Sequence, residues 1–364
     1  MEKELVSETV AKTPGAPKAQ KEPVKRVRVL QNMDAALAAF DELQEDETGK
    51  GFIEFVVKGP IPERLPPLPS DEEVETQLFK NALLLIDGGE FALARKVFGS
   101  ILDRNNTHVE SIRWMGWCFR QEQDFDRALK YYEQLTQLRV TDQDLFELGE
   151  IYYSLKKDIE AQTTWMDALG QCDAESPRLF DLHKNLGNVF NRLGDYESAE
   201  ENYNKALVLR PQSDVVQVNL GSLNFQKQNY KGALEAFKRA VEINPSNDRG
   251  WCGVALVARE MKDEEWARGV LLKALDLNPL NQTALHVLIN WAQQDLRWDD
   301  AIVRVQTYLK KIRDDADMTY ALAGLYFQKG SLNEAEEAID KLAALEASRP
   351  EVNELKELIH QKRS

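Results

Sequence analysis

The chain has 364 residues, 43% of them hydrophobic, with a formal net charge of −15 and a pI near 5.0. That length exceeds what one compact core usually fills, so several domains or a repeat array are expected. The acidic balance argues against nucleic acid as a main partner, because phosphate binding needs clustered Lys and Arg, and favours a basic or neutral protein.

Three cysteines, Cys118, Cys172 and Cys252, stand far apart without a CxxC or Cys/His pairing, which suggests neither a disulfide framework nor a zinc site. The first twenty residues lack the apolar run of a signal peptide, and no later window approaches eighteen apolar residues. A cytoplasmic protein without membrane insertion is the expectation.

Residues 1–24 are rich in Lys, Glu, Pro, Ala and Thr with almost no large apolar side chains, and read as a disordered, mildly basic tail. RVRVL (26–30) reads as a strand, Met33, Ala36, Leu37, Phe40 and Leu43 follow at helical spacing, and GFIEFVVKG (51–59) reads as a second strand. A strand-helix-strand segment over 25–58 gives two parallel strands by a right-handed crossover, and two strands are not stable alone. A second copy, making a homodimer through 26–58, a partner, or another part of the chain must complete the sheet. Alternatively Phe52, Phe55 and Val57 form an N-terminal cap over the exposed end of the region beyond residue 74. GPIPERLPPLPS (59–70) holds five of the thirteen prolines and reads as a stiff linker over 59–74. Its Pro66-Pro67-Leu68-Pro69 core also fits a polyproline ligand, but linker is the stronger reading.

From about residue 75 the sequence maps onto itself at a step of 34 residues. Leu186, Gly187, Ala199, Tyr203, Ala206 and Pro211 become Leu220, Gly221, Ala233, Phe237, Ala240 and Pro245. Ala267, Leu271, Ala274 and Pro279 follow, and Gly149, Ala161 and Trp165, then Gly116, Ala128 and Tyr132, precede. A 34-residue period of two helical patterns around a short break resembles the tetratricopeptide repeat family, over eight units in residues 75–349. The fold this implies is all-α, a right-handed superhelical solenoid of antiparallel helix pairs. The glycines and Ala199, Ala233 and Ala267 are small where the two helices of a unit cross. The aromatics fill space towards the next unit, Pro211, Pro245 and Pro279 stop the second helices, and Gly-Asp breaks supply turns. EVNELKELIHQK, with Val352, Leu355 and Leu358 on one face, reads as a C-terminal cap helix within 350–364.

The resemblance implies that first helices line a concave groove. Carried over position by position, early units present Phe79, Arg113, Trp114, Trp117, Arg120, Phe146 and Tyr153. Middle units present Lys184, Asn185, Asn188, Asn191, Arg192, Asn219, Arg249 and Arg259, and late units His286, Asn290, Gln293, Tyr320 and Phe327. Arg113, Trp114, Trp117, Phe146 and Tyr153 would make an aromatic patch edged by cations, of the kind binding hot spots favour. The alternative is that Trp114 and Trp117 pack between units.

Chaperone-binding members grip an acidic tail with Lys, Asn, Asn, Lys and Arg. Here Lys184, Asn188 and Asn219 match, Arg249 stands for the second Lys, and Gly253 fills the fifth position. A polar strip that hydrogen-bonds an extended peptide backbone is the better reading, because Asn both donates and accepts. No phosphate-binding glycine loop, HExxH, GxSxG or metal-spaced cluster occurs, and His108, His183, His286 and His360 are scattered. The expectation is a non-catalytic adaptor or scaffold without cofactor, binding a partner peptide or helix in the groove. The alternatives are self-assembly through 26–58, and an adaptor whose own basic tail occupies its groove.

Overall fold

The computed structural model describes residues 26–30, 53–57, 70–346 and 350–363. The expected tail at 1–24, the helix around 33–43 and residues 59–69 of the linker lie outside the described residues. Strands β1 (Arg26–Leu30) and β2 (Ile53–Val57) pair in parallel, with Arg26 opposite Ile53 and Leu30 opposite Val57.

Seventeen helices come after them among the described residues. The first four are α1 (Asp71–Asp87), α2 (Phe91–Arg104), α3 (Val109–Gln121) and α4 (Phe125–Leu138). Next come α5 (Asp142–Ser154), α6 (Asp158–Gln171), α7 (Leu179–Leu193) and α8 (Tyr196–Leu209). Then α9 (Asp214–Gln226), α10 (Tyr230–Ile243), α11 (Asp248–Glu260) and α12 (Glu264–Leu277). The array ends with α13 (Gln282–Asp295), α14 (Asp299–Lys311), α15 (Ala316–Lys329), α16 (Leu332–Leu345) and α17 (Pro350–Arg363). These are eight helix pairs, each doubling back through a short turn, and one terminal helix.

The first helix begins at Asp71, inside the expected linker, because Ser70 and Glu73 cap it reciprocally. The Glu73 amide donates to Ser70 Oγ (3.2 Å) and the Ser70 amide to Glu73 Oε2 (2.7 Å), satisfying donors that would otherwise be orphaned. Many later helices start on Asp, Asn, Ser or Thr side chains: Asp195 accepts from the Ser198 amide, and Asn247 from the Gly250 amide. Helices α8, α10 and α12 stop two residues before Pro211, Pro245 and Pro279, as expected of a residue without an amide hydrogen.

Within each unit the small residues hold the crossing. Ala199, Ala233 and Ala267 are fully buried. A Cβ on Gly187 would lie 2.5 Å from the Tyr203 ring, and one on Gly221 2.6 Å from Phe237. The aromatics therefore sit over the glycine of their own unit, a contact added to the expected packing towards the next unit. Phe237 does both, since Gly253 of the following unit also lies against its Cδ1–Cε1 edge.

Successive units are also tied at their turns. Asp214, at the start of α9, accepts Nδ2 of Asn244 (2.7 Å) and Asn247 (2.9 Å) from the next inter-unit turn. Asp248 accepts Asn278 and Asn281 in the same way (3.0 and 2.6 Å). In the longer turn before α7, Arg178 reaches Asp142 instead (2.8 Å).

The turn inside each unit needs one residue in the left-handed region, and that position recurs at the repeat period. Gly194, Gln228, Lys262, Leu296 and Gly330 have φ of 83°, 59°, 67°, 55° and 88°. Only glycine adopts this conformation without a steric cost. Leu296, 72% exposed, gains nothing from burial in return. Leu296→Gly is expected to raise stability by about 1 kcal/mol, read as an increased urea midpoint; an unchanged or lower midpoint contradicts it.

The terminal helix α17 buries Val352, Leu355 and Ile359 against α15 and α16. Leu358, expected on that face, is 47% exposed, because the stripe that meets the array runs 352, 355, 359 at helical spacing. Lys362 donates to the Phe327 carbonyl (3.0 Å) and lies 4.5 Å from the centre of its ring. The cap thus covers Phe327, one of the late groove positions.

Candidate partner-binding groove

The first helices α3, α5, α7 and α9 bring most of the middle-unit candidates together. Arg120, Gln121, Phe125, Glu150, Tyr153, Ser154, Trp165 and Asn185 line a cavity of about 380 Å³. Tyr153, Asn188, Asn191, Arg192, Tyr203, Asn219, Ser222 and Gln226 line another of about 260 Å³, and the two share Tyr153.

Inside the second cavity Asn188 Oδ1 accepts from the Tyr203 hydroxyl (2.9 Å) and from Asn219 Nδ2 (2.8 Å), joining α7, α8 and α9. Burial raises the Tyr203 hydroxyl above the usual phenol range, so it stays a donor. Asn191 Oδ1 is buried and has no hydrogen-bond partner among the described residues. An unsatisfied acceptor at a cavity wall is costly unless something outside the chain supplies the donor.

The rings expected as one patch fall into separate groups. Trp114 and Trp117 meet edge-on at 5.4 Å, and Trp117 meets Phe91 of α2 at 5.6 Å. Both tryptophans are half-buried, and Trp117 reaches the first unit through Phe91. Phe79 packs on Phe98 and His108, each at 5.7 Å, and Phe146 is half-buried against α6 and α7. Tyr153 leans on Trp165 (5.6 Å) and carries the Arg192 guanidinium 3.6 Å from its ring centre.

The candidate cations are mostly engaged within the chain. Arg113 donates to both oxygens of Asp144 (2.6 and 3.0 Å) and also meets Glu110. Arg120 meets Glu150 through one nitrogen (3.1 Å), and Lys184 meets Asp181 (2.6 Å). Arg192 donates Nε to Asp158 (2.8 Å), and Arg259 donates Nη1 to Asp295 (2.7 Å). Arg249 is exposed and makes no ion pair among the described residues. Gly253 has no room for a side chain beside Phe237. The five-residue grip on an acidic tail is therefore short of its last member for a packing reason, and its first cation is already neutralised.

Sequence reading missed these pairings. Arg113–Asp144 and Asn188–Asn219 are 31 residues apart and Arg120–Glu150 is 30 apart, one repeat less about one helical turn. Opposite charges at that separation would have been the signal. Glu150 is the unusual member: desolvation pushes its carboxyl above the usual range, and Arg120 and Lys184 only partly offset this against Glu147 and Asp181.

Among the described residues no group of three or more His, Cys, Asp or Glu side chains could hold a metal ion. No described helix is long and apolar enough to cross a membrane.

No curated protein matches the chain. The crystal structure of PilW, a type IV pilus biogenesis factor, is similar with a TM-score of 0.51 and 15% identity, covering 59% of this chain and 99% of that one. A Pseudomonas aeruginosa PilF structure gives 0.47 and 19%, covering 58% and 95%. The C-terminal part of a repeat-containing protein from Cytophaga hutchinsonii gives 0.46 and 17%, covering 76% and 98%. Three tetratricopeptide repeat family models match residues 79–142, 180–213 with 216–247, and 291–359, together more than half of the chain. With eight helix pairs at a period of about 34 residues and a glycine under an aromatic at the crossing in four of them, the chain belongs to the tetratricopeptide repeat family.

Proposed function

We propose that the chain is a non-catalytic adaptor that holds an extended segment of a partner protein along α3, α5, α7 and α9. The family supports a protein-interaction scaffold in general terms. The observation that carries the finer reading is the buried Asn191 Oδ1, without a partner among the described residues, in the wall of a cavity where Tyr203 and Asn219 hold Asn188 in place. A turn of the Asn191 amide into the cavity would offer an acceptor to a peptide N–H without breaking an internal bond.

Asn191→Ala is the test, because it removes a group the fold does not use. The substitution is expected not to lower the melting temperature, since it removes an unsatisfied buried acceptor, and to weaken partner capture about tenfold, the scale of one buried hydrogen bond. Full-length bait, the Asn191→Ala bait and a bait lacking residues 1–69 are compared in native lysate. A partner held equally by the first two refutes the groove reading.

A second reading keeps one observation in its favour. The β1–β2 pair has two strands only, so each strand has an outer edge without a partner strand among the described residues. If a partner, or a second copy, is lost with residues 1–69 and indifferent to Asn191→Ala, the strand segment is the binding element and the repeats are a spacer.

A further inference from the structure

We propose that the cavity between α3, α5 and α7 takes a Lys or Arg side chain of the bound segment, so that the partner is a basic peptide rather than an acidic tail. This rests on the groove reading above and adds the sign of the ligand's charge.

The local balance of charge decides that sign. Lys184 is spent on Asp181 at 2.6 Å, and Arg113 on Asp144 and Glu110. Among the described residues Arg120 is the one cation lining the cavity, and it reaches Glu150 through a single nitrogen at 3.1 Å rather than as a two-pronged pair. Glu147, one turn earlier on α5, accepts the Tyr132 hydroxyl and a Gln143 amide at 3.1 Å, and forms no ion pair among the described residues. Around the Glu150 carboxylate, two cations therefore face two further carboxylates, and its own charge is left over.

An incoming carboxylate could take the remaining Arg120 N–H groups only by sitting beside Glu150, which already carries the uncompensated charge. An incoming cation can take Glu150 Oε1, which accepts no hydrogen bond among the described residues, and leave Arg120 on Oε2. The walls suit a long cationic side chain as well. Phe125 and Tyr153 give apolar surface for the methylene stem, and the charged end meets the carboxylate. About 380 Å³ is ample for one such side chain with attendant water. The net charge of −15 acts in the same direction at long range, drawing basic segments towards the chain.

The experiment selects binders to the full-length protein from a randomised library of capped peptides. The selected peptides are then titrated against wild type, Glu150→Gln and Gln121→Lys, and at rising salt. Gln121 is exposed at the cavity mouth, so that second variant adds a repelling charge without disturbing the core. Selected peptides are expected to carry Lys or Arg, to lose about tenfold in affinity with either variant, and to weaken with salt. Peptides that are neutral or acidic, or indifferent to both variants, overturn the inference. If such peptides still lose affinity with Asn191→Ala, the groove reading survives alone; if none depends on Asn191, both fall.

Discussion

Gly187→Leu is expected to lower the stability of the middle of the array by about 3 kcal/mol or more, near the upper end of what overpacking costs. The reason is geometric. Even the first carbon of a side chain at residue 187 would lie 2.5 Å from two ring atoms of Tyr203, a distance at which one of the helices must move. Tyr203 cannot yield cheaply, since it is 1% exposed and its hydroxyl is held by Asn188, which in turn binds Asn219 of the next unit. In a repeat array each unit is stabilised mainly by its neighbours, so the defect should spread to α9 as well as α7 and α8. Gly269→Ala supplies the control. That glycine lies inside α12 with nothing within 4 Å of an added Cβ, and its replacement should stabilise by about 0.5–1 kcal/mol through helix propensity. Differential scanning calorimetry reads both. A Gly187→Leu protein that melts like wild type would show that the crossing is not tight, and the register of the repeat would be wrong.

The contrast between Gly187 and Arg113 shows what the sequence made legible. Gly187 is assigned by period alone, because small residues recur wherever two helices of a unit cross, and steric exclusion acts identically in every unit. The same holds for Ala199, Ala233 and the proline stops. Arg113 is placed by period as a ligand contact, and the structure pairs it with Asp144 instead. The period fixes which helix face a residue occupies, but not whether a long side chain on that face turns to a neighbouring helix or outwards. That choice depends on what lies across the seam about one turn short of a full repeat away, which is a property of pairs. Trp117 illustrates the same limit, since its ring meets Phe91 of the preceding unit. Asn191 stands out only after every neighbour's hydrogen bonds have been assigned.

Removing Arg113 should therefore act on stability before it acts on binding. Asp144 is 1% exposed, and Arg113→Met would leave its carboxylate buried with only the Thr141 amide (3.0 Å) and hydroxyl (2.8 Å) as donors. Breaking a buried pair from one side costs about 3–5 kcal/mol, and the lower end applies because Arg113 keeps some exposure. The dependence on pH separates this from loss of packing. In the wild type, burial raises the Asp144 carboxyl, but the Arg113 and Thr141 bonds outweigh it and hold the carboxyl below its ordinary range. Its contribution is therefore complete above the ordinary carboxylate value of about 3.9 and is lost as pH falls through the lower folded value. Without Arg113 the largest influence opposing burial is gone, only the Thr141 bonds remain against it, and the carboxyl rises. The variant then loses stability as pH increases through that raised value and regains part of it on acidification. The gap between the two urea midpoints should be wide at pH 7 and narrow near pH 4, and Arg113→Met/Asp144→Asn should recover part of the loss at pH 7. A gap that stays constant across that range would mean that Arg113 contributes through its methylenes alone, and that the seam between α3 and α5 is held by packing rather than by charge.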